Sequence, residues 1–205
     1  MSRSKPSLDH FSPSTRKHLE STFSSSYDST YQKAVLKFLQ DHPKEVEDAF
    51  SSKLTFGTGG LRALMGVGTN RLNEYTIEMT TQGLANYLKQ KKSPKEKRVF
   101  ISYDNRKNSF LYAKLTARVF AGNGIHVYIV KSLRPTPLCS FGCIHYHCDA
   151  AVMITASHNP PSYNGYKVYW KKGAQVLHPH DQNIMKQITL IDSPEQVFIA
   201  EEKDP

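Results

Sequence analysis

Apolar positions recur along this 205-residue chain with two different periods, and the change of period divides it. Through the first fifty residues the period is helical. Tyr27, Tyr31, Ala34, Val35, Phe38 and Leu39 fall at helical spacing, and Pro43 can open a second short helix carrying Val46, Ala49 and Phe50. From residue 57 onward short apolar runs alternate with helical ones. Residues 99–103 fit a buried strand, 111–121 a helix that stops at Gly122 and Gly124, and 125–130 the next strand. Residues 137–147 read as a helix, 150–155 as a third strand and 166–170 as a fourth, and a Lys172-Gly173 turn leads into 174–177. Ahead of them, Asn73 can cap a helix whose apolar side includes Ile77, Thr81, Leu84, Ala85 and Leu88. The alternation of β and α units predicts an α/β fold, a three-layer α/β/α sandwich with a mixed, largely parallel sheet, preceded by a helical N-terminal extension.

The glycines sharpen that boundary. All eleven lie between Gly57 and Gly173, as a glycine-poor helical arm before the sheet would have it. The expected organisation is a Ser-rich start and helical extension over 1–50, one α/β domain over 51–190, and an acidic tail or linker to a further domain over 191–205. With 39% apolar and 22% charged residues the chain can bury a core. No stretch approaches the roughly 18 apolar residues of a membrane span, and the N-terminal residues lack the apolar stretch of a secretory signal. A cytoplasmic protein without a membrane partner is expected.

Charge changes the picture only once it is placed. The net +9 hides a neutral head, a body over 51–180 with eighteen basic and five acidic residues, and an acidic end. A basic body points to an anionic partner. Part of the excess is a run formed by Lys89, Lys91, Lys92, Lys95, Lys97 and Arg98 around Ser93-Pro94, which lacks aromatic interleaving and reads as a solvated turn. Nucleic acid is therefore not expected as a partner. Cys139, Cys143 and Cys148, with His145 and His147 among them, do not have zinc-finger spacing, and small thiols on a helix are more simply packed than metal-bound.

In a largely parallel sheet, ligands gather at the carboxyl ends of the strands. That rule selects Asp104-Asn105-Arg106, Arg134-Pro135-Thr136-Pro137 and the run from Thr155 to Pro160. In the last, Ser157 follows an apolar strand and offers its hydroxyl at the ligand edge, His158 can donate a hydrogen bond or move a proton, and Asn159-Pro160-Pro161 stiffens the loop. A serine hydroxyl is a poor nucleophile near neutral pH unless activated or given a good phosphoryl donor. Gly57, Gly59 and Gly60 before Arg62 read either as a tight turn or, with the guanidinium, as an oxyanion cradle. Asp104 and Arg106 read as a strand-end pair that shapes its loop.

The string Thr155-Ala156-Ser157-His158-Asn159-Pro160, followed by Asn164-Gly165-Tyr166-Lys167, resembles the phosphoserine loop of the α-D-phosphohexomutase superfamily, the phosphoglucomutases and phosphomannomutases. Phe56-Gly57-Thr58-Gly59-Gly60-Leu61-Arg62, with Met65-Gly66 and Arg71-Leu72-Asn73, is similar to the branch holding the phosphoglucomutase 2-like enzymes and phosphopentomutases. Asp104-Asn105-Arg106 and Pro135-Thr136-Pro137 fall where that family has its other first-domain signatures, so the likeness runs in order over about residues 50–190.

The resemblance implies a ping-pong exchange in which a phosphate on Ser157 passes to one hydroxyl of a sugar phosphate and returns from another, through a sugar bisphosphate. It implies that Arg62 stabilises the phosphoryl oxygens, that Lys167 and His158 serve acid/base or electrostatic roles, and that Gly59, Gly60, Arg62, Asn159 and Lys167 bind phosphate and substrate. Glucose 1,6-bisphosphate is the implied phosphoryl donor, and Mg2+ the implied metal, reached through the phosphate of Ser157. The family's other metal ligands stand in an Asp-Gly-Asp-Gly-Asp loop of a second domain, and that string does not occur here. The missing C-terminal domains of the same enzyme are the expected partner, and the isolated chain is expected to have negligible turnover. The alternative is a non-catalytic, truncated module that binds phosphosugars.

Overall fold

The structure, a computed structural model, describes residues 7–24, 26–57, 59–91 and 96–201. Lys92, Ser93, Pro94 and Lys95 of the expected solvated turn lie outside the described residues. The helical extension is α1 (Pro13–Thr22), α2 (Ser29–Asp41), a 3-10 turn at Pro43–Glu45 and α3 (Val46–Phe50). Asp28 caps α2, its carboxylate accepting the N–H groups of Thr30 and Tyr31 at 2.7 and 2.9 Å. The apolar spacing read from the sequence converges here: Leu19, Val35, Val46, Ala49 and Phe50 form a small buried core of their own. This arm is fastened to the α/β domain by polar contacts. Asp48 pairs with Arg71, and the Tyr31 hydroxyl accepts the Gly68 N–H at 3.0 Å.

The domain follows as β1 (Gly60–Leu64), α4 (Glu74–Gln90), β2 (Arg98–Tyr103), α5 (Ser109–Gly122), β3 (His126–Ile129), α6 (Thr136–His145), β4 (Ala150–Ile154), β5 (Tyr163–Trp170) and α7 (His180–Thr189). The sheet order is β1-β5-β4-β2-β3. Strands β3, β2 and β4 run parallel, while β5 is antiparallel to both β4 and β1, so four of the five strands share one direction. Asn73 caps α4 through a reciprocal capping box with Thr76, which fixes where that helix begins.

Strand alternation then divides the side chains between two faces. Val99, Ile101, Val152, Ile154, Tyr166 and Val168 pack with Ile77, Leu84, Leu88 and Phe120 of α4 and α5. On the opposite face Phe100, Ala151, Met153 and Tyr169 pack with the three cysteines of α6 and its end. Each fully buried Val, Leu or Ile contributes about 1.5–3 kcal/mol. The α4/α5 face therefore carries most of the apolar stabilisation, and the α6 face has room for polar side chains. Burial pushes the thiols up, Cys143 to about 11 and Cys148 to about 12, which disfavours the thiolate that a metal requires.

Helix α1 of the extension and two elements of the domain had no counterpart in the periodic pattern. Strand β1 turns only Leu61 and Ala63 toward the core, with Arg62 exposed between them, so it reads as part of a glycine turn. Helix α7 is largely polar and fully buries only Ile184. Beyond α7 the described part of the segment expected as a tail, up to residue 201, is docked. Ala200 exchanges hydrogen bonds with Arg118, and Phe198 donates its N–H to the Gln82 side chain at 3.0 Å. Among the described residues, no helix is long and apolar enough to cross a membrane.

Candidate active site

Strands β2 and β4 are parallel neighbours, so the residues that follow them, Asp104 and Thr155, emerge at the same sheet edge. The Asp104 N–H donates to the Ile154 carbonyl at 3.2 Å, and the loop 155–162 leaves from there. Thr155 accepts the Ser157 N–H on its side-chain oxygen at 2.9 Å, and Ser157 takes a positive φ of 55° that leaves it exposed. A left-handed conformation costs a non-glycine residue on the order of 1–2 kcal/mol, so something must hold it.

Arg106 is placed to do so. Its Nη2 donates to the carbonyls of Ser157 and Asn159 at 2.7 Å each, and its Nη1 to those of Pro160 and Tyr163 at 3.0 Å each. One guanidinium thus gathers both ends of the loop. Asp104 lies 3.7 Å from its Nε, and the same carboxylate accepts the Arg106 backbone N–H at 3.0 Å and the Ser109 hydroxyl at 2.8 Å. The expected Asp104–Arg106 pair is present, and its main effect is on the Ser157 loop.

Arg62 and Lys167 come from the sheet itself. In the β1/β5 register Arg62 faces Gly165 and Gly60 faces Lys167. Because Leu61, Ala63, Tyr166 and Val168 turn to the α4/α5 core, Arg62 and Lys167 turn to the opposite face. A Cβ on Gly165 would stand 2.6 Å from the Thr155 carbonyl oxygen and 2.8 Å from that of Leu61, so only glycine fits between these two strands. Across that flat position Arg62 Nη1 donates to Asn159 Oδ1 at 2.6 Å, which ties the sheet to the Ser157 loop. Gly60, with φ 149°, admits the same tight approach at the start of β1.

The predicted residues therefore line two adjoining hollows. One, of about 430 Å3, holds Ser157 and Asn159 with Asp104, Arg106 and Lys107. The other, of about 310 Å3, holds Gly59, Gly60, Arg62, Lys167 and Gln175. His158 lies exposed on the loop, lines neither hollow and makes no hydrogen bond to a described residue. The amides of Gly57 and Gly60 donate to each other's carbonyls at 2.8 and 3.2 Å, so two of the N–H groups an oxyanion cradle would use are engaged in a turn. Lys167 carries the sharper electrostatic signal. Burial, and then the Arg62 charge, hold its amine below the ordinary lysine range, with Asp104 pulling the other way. A cation in this condition gains from any anion placed beside it.

Among the described residues Asp104 is the one carboxylate lining either hollow, and it is committed to Arg106 and Ser109. Among the described residues no three His, Cys, Asp or Glu side chains gather as a metal would require. These residues alone do not make a Mg2+ site. Two residues gained significance that sequence reasoning did not give them. Arg106 had a signal in its strand-end position. Gln175 had none, since its place follows only from sheet register.

Comparison with known proteins bears on what this site does. Residues 53–195 match the family model described as phosphoglucomutase/phosphomannomutase, alpha/beta/alpha domain I. The human phosphopentomutase is 44% identical over 156 residues, which are 73% of this chain and 26% of that protein. A phosphoglucomutase of Staphylococcus aureus (strain USA300) is 39% identical over 169 residues, 81% of this chain and 30% of its own. A crystal structure of a phosphomannomutase-type protein of Thermus thermophilus superposes with a TM-score of 0.65 at 25% identity, over 74% of this chain and 33% of that one. The chain spans about a quarter to a third of the length of these proteins.

Proposed function

Since the chain belongs to the phosphoglucomutase/phosphomannomutase family, with residues 53–195 as its α/β/α domain I, we propose that Ser157 carries the phosphoryl group exchanged between two hydroxyls of a sugar phosphate. The observation that carries this reading is the Ser157 loop itself: an exposed hydroxyl in a left-handed conformation, held by four hydrogen bonds from Arg106 and bordered by Arg62. Such a hydroxyl is preorganised, and phosphoryl transfer is chiefly a matter of position and charge neutralisation.

In the exchange the P–O bond to Ser157 breaks as a bond to a sugar hydroxyl forms, and the proton of that hydroxyl passes to a base. The sugar bisphosphate then turns, its other phosphoryl group returns to Ser157, and a proton is restored to the departing sugar oxygen. Arg62 and Lys167 neutralise the moving oxyanions. Lys167, held below the ordinary lysine range, is also suited to give up and regain a proton. His158, whose ring is free on the loop, is the other candidate for proton transfer. Glucose 1,6-bisphosphate is a donor that could load Ser157. Mg2+ would meet the phosphate of Ser157 and draw its remaining ligands from chain outside these residues, so the 205 residues alone turn over sugar phosphates negligibly.

The test is to incubate the full-length gene product with glucose 1,6-bisphosphate and Mg2+ and to map phosphate by peptide mass. A phosphate-sized increment on the peptide containing Ser157, absent in Ser157→Ala, is expected. An unmodified Ser157 would overturn the proposal and favour a module that binds phosphosugars without exchanging phosphate.

A further inference from the structure

Past the end of β5 the chain turns back through Gly173, whose N–H donates to the Trp170 carbonyl at 2.7 Å, and runs alongside β5. Trp170 donates to the Ala174 carbonyl at 2.8 Å, Val176 donates to the Val168 carbonyl at 3.0 Å, and Gln175 forms a bridge with Tyr169. Strand β1 begins opposite Lys167, so residues 174–176 take up as neighbours of β5 where β1 leaves off. Gln175 thereby meets the turn at Gly59: a Cβ there would stand 3.1 Å from the Gln175 carboxamide. Being paired with Tyr169, Gln175 shares its face of the sheet, which is also the face of Lys167 and Arg62. Three side chains of different chemistry, a guanidinium, an amine and a carboxamide, therefore converge on one hollow of about 310 Å3.

The two cations account for an anion. The carboxamide does not add charge; it adds a donor and an acceptor together, which is what a hydroxyl requires. It makes no hydrogen bond to any described residue, so both functions are available. Its backbone is fixed by sheet bonds rather than by a loose loop, so only the side chain remains to be ordered on binding.

We propose that Gln175 is a substrate-contacting, specificity-determining residue: its carboxamide reads a sugar hydroxyl beside the phosphoryl group that Arg62 and Lys167 hold. This rests on the sugar-phosphate reading of the site. The phosphate end is recognised by charge and the sugar end by the amide, so a sugar phosphate and inorganic phosphate should differ in their dependence on Gln175.

The 205-residue chain is titrated with glucose 1-phosphate and, separately, with inorganic phosphate, while NMR follows the side-chain resonances of Arg62, Lys167 and Gln175. Glucose 1-phosphate should move all three, and inorganic phosphate should move Arg62 and Lys167 with little effect on the Gln175 amide. Gln175→Ala should weaken glucose 1-phosphate about fivefold, the worth of one neutral hydrogen bond, and leave inorganic phosphate within about twofold. Gln175→Glu should weaken both, because it places a carboxylate beside the anion. If Arg62 and Lys167 respond to glucose 1-phosphate but Gln175 does not, or if Gln175→Ala weakens both ligands alike, the role of Gln175 is overturned while the sugar-phosphate reading stands. If neither ligand moves Arg62 or Lys167, both are overturned.

Discussion

The two hollows at the sheet edge are built in opposite ways. Around Ser157 the shape is made by a loop whose carbonyls are gathered by one half-buried guanidinium, so a single side chain does most to set where the hydroxyl lies. Around Lys167 the shape is made by strand register, and no single side chain is needed to hold Arg62, Lys167 and Gln175 on one face. The loop half is therefore fragile but positions a nucleophile in a conformation regular structure would not give. The sheet half is robust, and what can be tuned there is charge. The proposed phosphoryl exchange would use both: an exposed oxygen on a strained backbone on one side and fixed cations on the other, joined by the Arg62–Asn159 hydrogen bond at 2.6 Å.

The largest effect should come from removing the clamp. Arg106→Ala takes away four charge-assisted hydrogen bonds and the 3.7 Å contact of Nε with the Asp104 carboxylate, which keeps its bonds from the residue-106 backbone N–H and the Ser109 hydroxyl, at a cost of about 3 kcal/mol in unfolding free energy. Displacing Ser157 by even about 1 Å should slow its phosphorylation by the bisphosphate on the order of a hundredfold. Arg106→Lys separates the two consequences. It keeps the charge but loses the fork, so stability should recover more than phosphorylation does. Denaturant unfolding together with the phosphorylation rate of Ser157 measures both. Equal recovery of the two would mean that Arg106 stabilises the domain without positioning the serine.

Next in size is Gly165→Ala, which tests the sheet half. The added methyl must displace the Thr155 or Leu61 backbone, and overpacking of this kind costs about 1–3 kcal/mol. It should also part Arg62 from Asn159 while leaving the four Arg106 bonds intact. A chain that unfolds as readily as the parent, with the Arg62–Asn159 contact kept in its crystal structure, would show that the two halves are not joined through this row.

The same contrast explains what the sequence could disclose. Strands β2 and β4 were legible as continuous apolar runs, and helix α4 because Ile77, Leu84 and Leu88 recur at helical spacing and Asn73 marks where the helix starts. Strand β1 was not, because five residues with a glycine start and an exposed Arg62 show too little alternation. In the site, Ser157, Arg62 and Lys167 stood in recognisable strings. The Arg106 clamp stayed hidden because its four acceptors are backbone carbonyls, which every sequence has and no motif marks. Gln175 stayed hidden because its neighbours are set by where β1 stops along β5. His158 was legible as chemistry, yet lies outside both hollows, since a dipeptide does not fix which way its second side chain turns.

The smallest effect is electrostatic and reads the sheet half directly. A lysine amine is charged below its pKa, and at Lys167 burial and then Arg62 disfavour that charge, while Asp104 favours it. The amine should therefore lose its proton at a lower pH than an ordinary lysine. In the window between its folded value and the ordinary one the unfolded chain binds more protons than the folded one, so stability should rise with pH across that window. Lys167→Met should flatten this slope. Arg62→Gln removes the second cause and should move the Lys167 titration part of the way back up, whereas Asp104→Asn should move it further down. NMR titration of the lysine amine, with unfolding followed at several pH values, reads each shift. A phosphate on Ser157 should raise the Lys167 value if the two hollows work as one site, because an anion beside the amine opposes both causes that lower it. A Lys167 amine that titrates like an ordinary lysine, or that ignores the phosphate on Ser157, would leave the loop half and the sheet half as neighbours without a shared function.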